Sequence, residues 1–165
     1  MAAGAGDTDH SLATAYHEAG HAVIARCLGA GIEAVWIVPQ DLKGQVSVSW
    51  PDEAPVDHQI MALLASLECL RAFGIPDPHD LHFLSDAVAI GNLLETIIPD
   101  DEPAQEAHRN KLEDAVAGLF ARPGVRAAAQ HLAQALHREH HLTGGEATAI
   151  LDRHLGGACA AGFVL

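Results

Sequence analysis

Two histidines stand four positions apart in the run Thr14-Ala15-Tyr16-His17-Glu18-Ala19-Gly20-His21-Ala22-Val23-Ile24-Ala25, with a glutamate directly after the first. On an α-helix, positions i and i+4 share a face, so the rings of His17 and His21 can converge on one cation. Glu18 is turned by about 100° from His17 and reaches the open side of that cation. The chemistry such a pattern supports is metal-assisted hydrolysis: imidazoles hold zinc, zinc polarises water, and an adjacent carboxylate takes the proton. With 12 histidines in 165 residues, chance pairs are commoner here than in an average chain. The setting gives the pattern its weight. Leu12, Ala15, Ala19, Ala22 and Val23 flank the pair at helical spacing, Ser11 or Thr8 offers a start cap, and Gly29 and Gly31 close the run.

A hydrolytic zinc takes a third protein ligand from elsewhere and leaves a fourth position for water. A histidine six residues past His21 would supply it in one large zinc-protease class, but Cys27 stands there. Asp86 is the leading candidate. It lies in Leu84-Ser85-Asp86-Ala87-Val88-Ala89 with no basic residue within a turn, and a lone carboxylate in an apolar helix is costly without a cation. Glu68 sits in a similar helix, yet Arg71 three residues on offers an ordinary ion pair. His79, Asp80 and His82 form a second-choice cluster in which Asp80 serves equally as a helix cap.

The elements that must carry these residues are mostly helices. The first is expected from about Thr8 to about Leu28, followed by strands over Glu33 to Val38 and Gln45 to Trp50, joined as a hairpin through Pro39-Gln40-Asp41-Leu42-Lys43-Gly44. Asp57 caps a helix running to about Phe73, with Ile60, Leu63, Leu64, Leu67 and Leu70 at core spacing and Gly74 and Pro76 as its stop. The next starts near Pro78 or Asp80, carries Leu81, Leu84, Val88, Ile90 and Leu94 as core, and ends before Pro99. Helices over about Ala104 to Ala121, Val125 to His140 and Gly144 to Leu155 complete the chain, the last opened by a Thr143/Glu146 capping box. The fold class is therefore α+β: mainly helical with a small β-hairpin, built around a zincin-like HExxH helix with a helical C-terminal half. One domain over 1–165 is expected, with 1–7 as a flexible lead and about 156–165 as a tail.

Composition excludes several classes of partner. With 22 acidic against 9 basic residues and a net charge of −13, nucleic acid and anionic membrane surfaces are disfavoured. No stretch approaches the roughly 18 apolar residues of a membrane span, and the opening residues lack the basic and apolar regions of a signal peptide. Cys27, Cys69 and Cys159 are odd in number and lack metal-type spacing, which predicts reduced, inert thiols and a cytoplasmic location. His108, His131, His137, His140, His141 and His154 read as solvated helix faces, although His137, His140 and His141 have helical spacing for a minor metal site.

Taken together, these residues resemble the peptidase domain of the FtsH-type, membrane-anchored, ATP-dependent zinc proteases. Tyr16-His17-Glu18-Ala19-Gly20-His21-Ala22-Val23 is similar to that family's metal helix almost letter for letter. Val35-Trp36-Ile37-Val38-Pro39 ahead of Gly44-Gln45-Val46 is similar to its following segment, and Ser85-Asp86-Ala87-Val88-Ala89 to the motif that supplies its third ligand. Leu142-Thr143-Gly144-Gly145-Glu146 with Ile150-Leu151 resembles its closing helices. The chain departs from the family in having no GxxxxGK[ST] phosphate loop and no membrane anchor, and Leu64-Ala65-Ser66-Leu67-Glu68-Cys69-Leu70 does not reproduce its Gly-Gly-Arg-x-Ala-Glu-Glu stretch.

The resemblance implies a stand-alone zinc metallopeptidase acting on unfolded or extended polypeptides, with zinc on His17, His21 and Asp86 and Glu18 as general base. It also implies a homo-oligomer or a separate ATPase as partner. The alternatives are a catalytically silent zinc-binding scaffold derived from such a peptidase, and a metal-free helical interaction module.

Overall fold

The computed structural model describes residues 5–77, 80–157 and 159, with side chains from 10 to 77, 84 to 157 and at 159. His79 therefore lies outside the described residues, as do the side chains of Thr8, Asp80, Leu81 and His82. The order of elements is α1 (Ala5–Cys27), β1 (Gly31–Val38), β2 (Lys43–Ser49), α2 (Val56–Phe73), α3 (Asp80–Ile97), α4 (Glu102–Phe120), α5 (Pro123–Glu139), β3 (His141–Thr143) and α6 (Gly144–Leu155). The class is α+β, as the residue patterns predict.

Helix α1 is the hub. It packs on α2, α5 and the β1–β2 hairpin, and Ala15, Ala19, Ala22, Val23 and Ile24 are fully buried along it. Small side chains dominate this stripe, so neighbouring elements approach its backbone closely. A Cβ on Gly20 would lie 2.6 Å from the Ala65 carbonyl oxygen and 2.7 Å from Cys69 Cβ. The helix also starts earlier than its sequence signals indicate: Ser11 is inside it, buried, and shares a hydrogen bond with His137 instead of capping.

The sheet is antiparallel with strand order β2–β1–β3. Strand β3 is absent from the sequence reading because three residues carry no measurable periodicity; its pairing of Leu142 with Val35 is a tertiary event. The hairpin is as expected, with a turn over residues 39–42 and Leu42 at φ 52°. Among the described residues strand β2 has β1 as its single neighbour in the sheet, and no strand pairs with its other edge.

Caps account for several helix limits. Thr143 and Glu146 form the expected capping box on α6, and Asp101 accepts from the Ala104 amide at the start of α4. Gly74 ends α2 in the left-handed conformation at φ 63°. Asp57, by contrast, does not cap α2; the helix follows Pro55, and the Asp57 carboxylate accepts from His108 Nε2 at 2.8 Å. A second correction concerns α3. Ile90 and Leu94 are core, but Leu84 and Val88 are 55% and 64% exposed, because α3 packs on α2 and touches the rest of the molecule little. Apolar spacing along a helix predicts a stripe, not which part of it finds a neighbour.

Two of the three cysteines differ from expectation, while Cys69 is the reduced thiol predicted. Cys27 and Cys159 are joined in a disulfide, and Cys69 is a buried free thiol whose pKa burial pushes up. No helix among the described residues is long and apolar enough to cross a membrane.

Candidate metal centre

Three helices meet at one point. His17 and His21 lie one turn apart on the side of α1 that α3 approaches, and Asp86 reaches them from the second turn of α3. Asp86 Oδ2 lies 3.2 Å from His17 Nε2 and 3.2 Å from His21 Nε2, and the two Nε2 atoms are themselves 3.2 Å apart. Among the described residues this is the group of three ligand-type side chains close enough to hold one metal ion. All three are nearly enclosed, with side chains 8%, 13% and 13% exposed.

That triangle has a specific meaning. A tetrahedral zinc with ligand atoms at about 2.0–2.1 Å places those atoms about 3.3 Å from one another, which is the spacing found. The hydrogen bonding agrees. His21 Nδ1–H donates to the Ala62 carbonyl at 2.7 Å, which turns the Nε2 lone pair toward Asp86 and His17. Lone pairs of two imidazoles and a carboxylate facing one another at this distance require positive charge between them, either a proton or a cation. The electrostatics show the same demand. Burial opposes charge on His21, but its bonds to Asp86 and the nearby Glu18 raise its pKa to about 9. Asp86, despite desolvation, is held well below the ordinary carboxylate range by its bonds to His17 and His21.

Glu18 is 3% exposed beside this group. Desolvation raises its carboxyl to about 7, partly countered by His21 and reinforced by Asp86. A Cβ on Gly44 would lie 2.5–2.7 Å from the Glu18 side chain. Glycine at the start of β2 is thus what leaves room for that carboxylate. The expected residues His17, Glu18, His21 and Asp86 all border one cavity of about 670 Å³, with β2 and Trp50 as one wall, α2 as another and α3 as the third.

Two other candidates find different roles or no group among the described residues, while the side chains of the His79, Asp80 and His82 cluster lie outside them. Glu68 pairs with Arg71, as its sequence context suggests. Among the described residues, His137, His140 and His141 join no ligand group. Four of the histidines read as solvated have partners: His108 bonds Asp57, His137 bonds Ser11, and His131 and His154 stack on each other with ring centroids 4.2 Å apart. Sequence reasoning missed Ser66, whose hydroxyl lies 3.2 Å from Asp86 Oδ2, along with the Ala62 carbonyl and Gly44. A buried serine in an apolar helix was the available signal for the first; the other two depend on backbone placement, which no side-chain pattern encodes. No protein-family model matches this chain, and no curated protein matches it.

Proposed function

We propose that the protein is a zinc-dependent peptidase of the FtsH-type kind, cutting extended polypeptides at a centre formed by His17, His21, Asp86 and Glu18. The observation that carries the reading is the 3.2 Å triangle of Nε2, Nε2 and Oδ2 with a carboxylate held beside it in an open cavity. His17, His21 and Asp86 would hold the metal, and the donor set of two imidazoles and one carboxylate suits zinc with an open position. Bound there, zinc supplies Lewis acidity that activates water and polarises a peptide carbonyl.

The chain's own groups do the rest. Glu18, with a carboxyl near 7 and a desolvated setting, takes the proton of the attacking water and returns it to the leaving amine. Its placement against Gly44 keeps it on the cavity side of α1. Strand β2, whose outer edge is paired with no strand among the described residues, contributes Gly44, Gln45, Val46 and Val48 to the wall of that same cavity. An extended chain adding to this edge is held by main-chain bonds, which tolerate many sequences. A purely structural zinc site is closed by four protein ligands and has no use for a base; three ligand-type side chains among the described residues, with Glu18 beside them, favour turnover over a silent scaffold.

The test is zinc content and casein hydrolysis in the wild-type chain, Glu18→Gln and His17→Ala. The wild type should carry about one zinc per chain and lose hydrolysis in chelator. Glu18→Gln should keep zinc while losing activity by 10²-fold or more, as roughly expected of a lost general base, and His17→Ala should lose both. Zinc retention with no hydrolysis in any form would leave the scaffold reading, and no zinc at all the interaction module.

A further inference from the structure

We propose that Ser66 is a positioning residue for the metal ligand Asp86, and that α2 acts as a template aligning ligands from two other helices. The inference rests on the metal-centre reading above and extends it to a residue outside the ligand set. Ala62 and Ser66 are one turn apart on α2, so they share a face. The Ala62 carbonyl accepts from His21 of α1, and the Ser66 hydroxyl reaches Asp86 of α3 at 3.2 Å. Two adjacent groups on one helix thus orient two ligands that arrive on different elements.

Asp86 has particular reason to depend on such a partner. Its helix packs chiefly on α2 and leaves Leu84 and Val88 in solvent, so little besides α2 fixes where α3 aims its carboxylate. The terminal torsion of aspartate is soft, and rotation would swing Oδ2 away from the two Nε2 atoms. Ser66 is 1% exposed and has one hydroxyl proton with two acceptors at 3.2 Å: Leu63 O on its own helix and Asp86 Oδ2. Donation to Leu63 is open to any helical serine. Donation to Asp86 is charge-assisted, hence stronger, and pins the oxygen facing the histidines.

Zinc affinity measured by competition with a fluorescent chelator on the full chain tests this, in a double-mutant cycle of Ser66→Ala with Asp86→Ala. Ser66→Ala alone should weaken zinc binding about 10- to 100-fold, while the metal-free protein in excess chelator stays folded and melts cooperatively. In the Asp86→Ala background, where two histidines still hold zinc weakly, the same substitution should change affinity less than twofold. Ser66→Thr, which retains the hydroxyl, should restore most of the loss. Equal losses in both backgrounds, or collapse of the metal-free fold in Ser66→Ala, would assign Ser66 to packing and overturn the proposal. Identical zinc affinity in Ser66→Ala and the wild type would overturn it while leaving the metal centre standing. A wild-type chain that binds no zinc would overturn the centre itself.

Discussion

Burial in the fold raises the pKa of the Glu18 carboxyl, and that has a measurable consequence for stability. Burial raises its carboxyl from about 4.5 to about 7. An acid whose folded value lies above its unfolded value favours folding at low pH, and the advantage is lost as pH climbs from about 4.5 through about 7. Above that range the metal-free protein carries a desolvated charge. Glu18→Gln removes it, so in chelator the variant should match the wild type near pH 4 and exceed it above pH 7 by about 3 kcal/mol, taking 1.36 kcal/mol per pKa unit. Urea denaturation at pH 4, 6 and 8 reads this directly; equal stability at pH 8 would show a hydrated carboxylate. A bound cation pulls the same carboxyl down, so under the proposed chemistry the hydrolysis rate should rise with pH along a limb whose midpoint is no higher than about 7.

At the scale of elements, the centre depends on how tightly α1 lies on α2. The contact passes through Gly20, one residue before His21, where a methyl group would press on the Ala65 carbonyl and on Cys69. Replacing glycine with alanine within an isolated helix gains about 1 kcal/mol. Here a backbone oxygen is in the way and cannot rotate aside, and overpacking of this kind costs about 1–3 kcal/mol. Gly20→Ala should therefore lower the melting temperature, and zinc affinity should fall with it as the His21–Ala62 bond stretches. A variant that melts higher than the wild type would show that the helices are free to separate. Helix propensity and helix crossing pull in opposite directions at this position, and the crossing prevails.

Across the whole molecule, the covalent tie between Cys27 and Cys159 joins the end of α1 to the chain beyond α6, over a separation of 132 residues. Closing a long loop restricts the unfolded chain, so reduction should lower stability by about 2–4 kcal/mol. Melting with and without reductant checks this, and Cys27→Ser should melt like the reduced wild type and ignore reductant. The Arg26–Asp152 pair at 2.8 Å beside it is more exposed and adds less. This tie lay beyond the sequence, because cysteine spacing says nothing of proximity in the fold. What the residue order determined by itself is local: the i, i+4 geometry of His17 and His21, Glu18 beside them, the caps and breakers that bound the helices, and the lone carboxylate of Asp86 in want of a cation. Tertiary structure alone decided that Asp86 comes within 3.2 Å of both histidines, that Ser66 and Ala62 support them from α2, that Gly44 makes room for Glu18, and that Leu84 and Val88 face water. Backbone periodicity sets which side chains share a face; only the packing of one element on another sets what that face meets.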